Sequence, residues 1–468
     1  MKHWKEEKIF IYIALIFGTL MVVLTPPFQS PDEGTHFFRA YTNARGDLYP
    51  QEENGVEGFY LPDSMVNYVA EIETMSAQFD KKYSYKDLFL TMRKEFDYQS
   101  VSFHTMSTVN ITPIAYTAPS IGVLFAKITN YIMGFTGPTS LLNLLYSARF
   151  FSLFSYIAIV ALAIRKTPIL KKSFALIALI PMSLFLGASV TYDNLLIPCA
   201  LLTSAIILEL CLNKEKKITW KHLVFFGVMG FLFFKVKLVY IVVLLPILCI
   251  PKEKFGQLKD WWKKIGIIVA IAIVLILLNE LPTMFHQIAT TQSSLLHQQQ
   301  VSYIFHHPLQ YLETVLSDLN INRFFYLNSM FGVLGLLDTS MIDPFVYLYI
   351  IAFLVIIIAD ASLAQRKIKI LHKLIYLIGI LGSIFGIITG MYILWTSEMS
   401  GIGVSTVVGV QGRYFLPLLS LFVVLFVNSK WTKNKKVELG FKTITDNYSL
   451  LSIIGLSISC LMLLLRFW

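Results

Sequence analysis

Four short stretches concentrate the side chains capable of acid–base work or anion binding. Pro-Asp-Glu-Gly-Thr-His at 31–36 sets two carboxylates, Asp32 and Glu33, beside His36. Ser-Val-Thr-Tyr-Asp-Asn at 189–194 carries Asp193, and Lys-Val-Lys at 235–237 carries two cations, Lys235 and Lys237. Gln-Gly-Arg-Tyr at 411–414 carries Gln411, Arg413 and Tyr414. Adjacent carboxylates supply a general base or hold a cation. Fixed cations clamp a phosphate, arginine through its planar fork and lysine as a point charge. Base and phosphate clamp together are what transfer from a lipid-phosphate donor requires. Each residue also has a structural reading. Asp32 with Glu33 can cap a helix over 35–44, Lys235 and Lys237 can snorkel to headgroups, and Arg413 can pair with Asp193 inside a bundle. His36 and His104 can be merely hydrogen-bonded, and the acidic residues of 71–97 read as a solvated face.

The elements that must position these groups are membrane helices. The 468-residue chain is 56% hydrophobic and only 15% charged, and its apolar residues come in runs such as 265–278, 346–359 and 448–465. A helix that is apolar all round belongs in lipid or inside a bundle. Period-two segments of an outer-membrane barrel are absent, which leaves helices to satisfy the backbone in hydrocarbon. The fold class is therefore all-α, a polytopic transmembrane helical bundle. The net charge of +10 sits in clusters beside apolar runs, a pattern set by topology and not by nucleic acid. Cys199, Cys211, Cys249 and Cys460 lie within apolar segments without metal-ligand spacing and read as small core residues. Lys2, Lys5 and Lys8 precede an apolar run from Ile9 to Leu24, and with no small-x-small cleavage site behind it, that run reads as an uncleaved first helix.

Basic clusters at 2–8, 165–172, 214–221, 252–264, 366–373 and 430–442 mark cytoplasmic connections. Placing all six inside requires about eleven spans, with the N-terminus inside and the C-terminus outside. The segment 220–250 then splits at Lys235–Lys237 into two short helices. Pro113, Pro119 and Lys127 make 111–135 a helix lying in the outer interface. Two large extracytoplasmic segments follow, 26–110 and 280–343, within one membrane domain spanning 1–468. The candidate residues all fall on the extracytoplasmic side of this arrangement, in a multi-pass protein of the cell membrane.

Five motifs in order, Pro-Asp-Glu-Gly-Thr-His-Phe (31–37), Ser-Val-Thr-Tyr-Asp-Asn (189–194), Lys-Val-Lys-Leu-Val-Tyr (235–240), Gly-Val-Leu-Gly-Leu-Leu-Asp (332–338) and Gln-Gly-Arg-Tyr-Phe-Leu-Pro (411–417), resemble those of a family of bacterial predicted membrane proteins of unknown function. That family looks like a branch of the GT-C superfamily, polytopic glycosyltransferases that use lipid-phosphate-linked sugars. Gly34-Thr35 stands where Pro-Ala is frequent, and Leu336 where Trp is frequent. The resemblance implies extracytoplasmic loop helices and an inverting transfer from a polyprenyl-phosphate sugar donor to a cell-envelope glycan acceptor. It implies Asp32 as the catalytic base, with Glu33 as its neighbour or replacement. Around them, His36, Asp193, Lys235, Lys237, Gln411, Arg413 and Tyr414 would bind substrate. A divalent cation (Mg or Mn) is compatible with the superfamily and not fixed by it. The alternative is a transporter or flippase of lipid-linked glycans, for which the mid-bilayer Arg149 speaks, or a polysaccharide polymerase or ligase.

Overall fold

A computed structural model describes residues 5–74, 78–92, 96–134, 139–256, 258–289, 291–364, 366–427 and 434–468. Lys2, Phe135 and Lys430, which bound segments named above, lie outside them. The chain is overwhelmingly helical. Helix α1 (Glu6–Leu24) ends ahead of Pro26-Pro27, and α2 (Glu33–Arg45) starts directly after Asp32. A small antiparallel sheet follows, with β1 (Gln51–Glu53) and β2 (Val56–Pro62) joined at Asn54-Gly55 and β3 (Val101–His104) returning against β2. Helices α3 (Asp63–Glu73) and α4 (Tyr85–Met92) fill the connection between β2 and β3. This sheet qualifies the all-α expectation. Asn54 and Gly55 both take positive φ, the conformation in which an Asn-Gly pair makes a tight hairpin.

After α5 (Thr117–Ile132) the bundle is built from α6 (Leu141–Lys166), the short α7 (Lys171–Ala178) and α8 (Pro181–Gly187), α9 (Asp193–Leu212) and α10 (Trp220–Lys237). Helix α11 (Leu258–Glu280) leads to three helices beyond the bundle, α12 (Gln292–His306), α13 (Pro308–Ile321) and α14 (Arg323–Phe331). A two-residue hairpin of β4 (Val333–Leu334) and β5 (Thr339–Ser340) precedes α15 (Asp343–Leu363) and α16 (Ile370–Met391). A π-turn at Tyr392–Thr396 runs into α17 (Ser397–Ser400). A broken run over Gly412–Phe426, containing α18 (Leu419–Phe422), leads to α19 (Lys435–Asp446) and α20 (Tyr448–Phe467). Among the described residues, eight helices are long and apolar enough to cross a membrane. The expected eleven included 174–189 and the run after Arg413. The first is interrupted ahead of Pro181, whose missing N–H cannot continue α7, and the second is a chain of short turns.

The segment 220–250 reverses where its two lysines stand. Lys237 leaves helical geometry at φ −160°, ψ 101°, and the Leu238–Cys249 turns fold back along α10. A Cβ on Gly230 would lie 3.5 Å from Leu244 Cδ1, whereas fourteen residues of straight helix would separate the two by about 21 Å.

The basic connections gather at one end of the bundle. Lys254 Nζ donates to the carbonyls of Lys214 and Lys216 at 2.7 and 2.8 Å, Lys373 Nζ to that of Leu425 at 2.6 Å, and Lys172 pairs with Asp446. The connections 26–116 and 280–343 lie at the other end and touch each other, through Ala289 N–H to the Gly55 carbonyl at 2.9 Å and His286 with Glu57 at 2.8 Å.

Candidate functional site

All four stretches converge at the end opposite the basic connections. Asp32 occupies the residue before α2 with φ 58°, a left-handed conformation that few non-glycine residues adopt and that Asp tolerates. In that position its side chain makes no capping hydrogen bond to α2 and instead accepts one from Arg413 Nη2. Arg413 is delivered by the Gly412–Leu418 turn. Its Nε donates to Gln411 Oε1 at 2.7 Å, and its Nη1 lies 3.7 Å from Asp193 Oδ2. The guanidinium thus stands between two carboxylates. Asp32 is 57% exposed, against 2% for both Arg413 and Asp193, so one face of the cluster is open and the rest is packed. Lys237, at the reversal of the α10 hairpin, holds its ammonium 3.2 Å from the centre of the Tyr414 ring. Tyr240 fixes that segment by donating to the Tyr414 carbonyl at 2.7 Å. Partial burial raises the proton affinity of Asp32, but the charges of Arg413, His36 and Lys237 outweigh it and hold the carboxyl below the usual carboxylate range.

The backbone explains why the sequence must be as it is here. A Cβ on Gly412 would collide with the Tyr326 carbonyl and the Met330 nitrogen of α14, while its N–H donates to Ser329 Oγ at 2.8 Å. Only glycine lets Arg413 come this close to α14. In 189–194, Val190 N–H binds Glu33, Thr191 Oγ1 receives Asp193 N–H at 3.3 Å, and Tyr192 packs edge-on against His36 at 4.8 Å. His36 is buried, and its Nδ1 lies 2.7 Å from the Tyr116 hydroxyl. Desolvation drives its pKa down to about 4, so the ring is neutral near pH 7.

Two expected members are engaged elsewhere. Glu33 does not stand beside Asp32 as a partner or replacement. It is turned inward at 0% exposure against Arg149 at 1%, accepting from Arg149 Nε at 2.8 Å and Nη2 at 2.5 Å, and from Val190 N–H at 3.0 Å. Arg149 also binds the carbonyls of Val22, Thr25 and Pro26 at the end of α1. The pair welds α1, α2, α6 and the 189–194 turn together, and Glu33 supplies the acidic neighbour that a buried arginine needs. Lys235, expected beside Lys237, points away from the site and pairs with Glu280.

One carboxyl at the site was read as part of a solvated face. Glu73, at the end of α3, accepts from the Gly34 N–H, and its Oε1 lies 2.5 Å from where a Gly34 Cβ would be. Burial, with the charges of Asp32 and Glu33, raises its pKa. The signal in the sequence was Gly34 itself, the residue that makes room for it. Of the partners of His36, Tyr192 lies within the 189–194 motif, whereas Tyr116 carries no local signal.

Among the described residues no group of three His, Cys, Asp or Glu side chains is placed to hold a metal ion. Asp193 Oδ2 is buried without a hydrogen-bond partner, but the two carboxylates share Arg413 and both feel the charge of Lys237, so the donor set does not fit a divalent cation. What the cluster can do is accept a proton at the exposed Asp32 and meet an anion with Arg413 and Lys237. No curated protein and no solved structure matches the chain. The family described as "Predicted membrane protein (DUF2142)" matches residues 15–422, and the chain belongs to that family of membrane proteins.

Proposed function

We propose that this protein is a membrane glycosyltransferase that moves a sugar from a polyprenyl-phosphate-linked donor to a cell-envelope glycopolymer or lipid-linked acceptor at the outer face of the bilayer. The observation that carries the reading is the meeting of an exposed carboxylate with a fixed guanidinium, Asp32 with Arg413, and with Lys237 beside them on Tyr414, at the end opposite the basic connections. If those connections are cytoplasmic, as short basic loops are, the site faces outward. Eleven traverses with the N-terminus inside follow when the α7–α8 segment, both arms of the 220–249 hairpin and the 412–426 run are counted with the other long helices. Helix α5 fits an interfacial role, since its outer face exposes Ile121, Phe125, Ile128 and Ile132.

In the reaction an acceptor hydroxyl attacks the anomeric carbon. The new carbon–oxygen bond forms as the bond to the phosphate oxygen breaks, the hydroxyl proton passes to Asp32, and the polyprenyl phosphate leaves with its electron pair. In-line attack inverts the anomeric centre. A carboxylate paired with Arg413 is a weak base. A donor phosphate that draws Arg413 and Lys237 to itself loosens that pairing and lifts the proton affinity of Asp32 as the substrate arrives. The same cations then stabilise charge developing on the leaving phosphate in a partly dehydrated site. The transporter reading rested on Arg149, which with Glu33 and three carbonyls for partners gives it no support.

The test is mass spectrometry of envelope glycans from a deletion strain complemented with wild type or with Asp32→Asn. Loss of a sugar substituent that only wild type restores supports the reading. Unchanged glycans in the deletion strain, or full restoration by Asp32→Asn, refute it.

A further inference from the structure

The basic end of the bundle carries a cavity, 440 Å³ in volume, wedged between the ends of α9 and the 238–249 turns and the start of α16. Its floor is apolar, with Leu212 and Leu248 among its lining, and Lys252, Lys367, Lys369 and His372 stand around it against a single carboxylate, Glu253. The volume lies in the range of small-molecule sites. Positive charge at this end is demanded by topology alone, so the lysines by themselves say nothing. What matters is how they are used. Lys254 and Lys373, their neighbours, are tied to backbone carbonyls. The side chains of Lys367 and Lys369 make no ion pair among the described residues and are exposed beside an apolar hollow. An apolar floor beneath unneutralised cations is complementary to an amphiphile with an anionic head and a hydrocarbon body.

We infer that this cavity binds an anionic phospholipid, its headgroup phosphate on Lys367, Lys369 and Lys252 and its first methylenes on Leu212 and Leu248. The site stands at the far end of the molecule from Asp32 and does not rest on the glycosyltransferase reading. Because the lipid joins two connections that are distant in sequence, after the 238–249 turns and before α16, it staples the hairpin that carries Lys237 to the helix beside it.

The experiment is native mass spectrometry of the detergent-purified protein titrated with phosphatidylglycerol, with phosphatidylcholine of the same chains, and with inorganic phosphate. Wild type should retain one phosphatidylglycerol that phosphatidylcholine does not displace. Lys367→Ala/Lys369→Ala should bind it roughly thirtyfold more weakly, the effect of two lysines near an anionic lipid headgroup. Lys217→Ala/Lys221→Ala, which removes two exposed lysines at the same end but outside the cavity, should bind as wild type does. Leu248→Trp, at an exposed position of the floor, should fill the hollow and weaken binding without touching a charge. Equal losses from both lysine pairs, or no loss from any variant, would overturn the inference. Inorganic phosphate binding as tightly as the lipid would overturn it too, by assigning the cations to the free anion.

Discussion

The Glu33–Arg149 pair sets a sharp prediction, because it separates a structural carboxylate from the adjacent one proposed to act in transfer. Both groups are fully buried and five hydrogen bonds radiate from the guanidinium, two to Glu33 and three to the end of α1. Removing one partner of a buried pair leaves the other charge uncompensated and costs about 3–5 kcal/mol, a large part of the ~5–15 kcal/mol that holds a protein folded. Glu33→Gln should therefore lose about that much in unfolding followed by circular dichroism in mixed micelles. Arg149→Met should lose as much or more, since it also frees the Val22, Thr25 and Pro26 carbonyls. The double variant Glu33→Gln/Arg149→Met should fall well short of the sum, because no bare charge remains. Asp32→Asn provides the contrast: its carboxylate is exposed and Arg413 keeps Asp193, so the change in stability should be about 1 kcal/mol or less. A Glu33→Gln protein that unfolds within about 1 kcal/mol of wild type, yet transfers no sugar, would refute this division and return Glu33 to the chemistry.

Three further outcomes follow from the geometry. Gly412→Ala should be destabilised by more than the ~1–3 kcal/mol usual for overpacking, seen as a loss of folded protein after solubilisation, because the two nearest obstacles to its Cβ are α14 backbone atoms. Lys237→Met should keep the fold and lower transfer by about 10²–10³-fold, the scale of removing a preorganised charge-stabilising group, whereas Lys235→Met, which only frees Glu280, should leave transfer near wild type. His36 gives a pH signature. Below 6.5 the unfolded chain takes up a proton that the buried ring refuses until about pH 4, so stability falls as pH drops through that window, by about 3 kcal/mol in total. His36→Gln should flatten this part of a stability–pH curve.

Much of the architecture was legible because hydrocarbon forces it to be. Apolar runs announce the long helices, and the lysines at 235 and 237 gave away the reversal in 220–249, since two cations are costly in mid-bilayer. Asp32, Asp193, Lys237, Gln411, Arg413 and Tyr414 could be nominated because each is polar where apolar residues dominate, and the structure brings them together. What stayed hidden depended on pairing across distance. Glu33 and Arg149 are 116 residues apart, and nothing local says that one carboxylate of an Asp-Glu pair turns inward while the other stays out. Glu73 sits in a stretch as charged as any solvated loop. The sheet in the first connection was missed for a different reason, since its Asn-Gly turn is a recognisable hairpin signal inside a segment too short and polar to suggest strands. The broken runs at 171–187 and 412–426 fell between categories: apolar enough for a span, but divided into turns too short to stand as one helix.

The far end of α20 carries an implication for how the protein comes to be made. Trp468 donates its indole N–H to the Leu24 carbonyl at 2.8 Å and stacks on Tyr85 at 3.9 Å, Arg466 pairs with Asp338 at 2.8 Å, and Tyr83 N–H binds the Phe467 carbonyl. The contacts of Trp468 and Phe467 join α1 and the connection after it to residues as many as 444 positions later. At ~5–20 residues per second of synthesis, the segment that presents Asp32 waits roughly 20–90 s for its last supports to leave the ribosome. Through that interval its apolar surfaces lack these partners. Assembly of this end is therefore a late event, and a ribosome stalled before α20 would leave the first connection without these contacts.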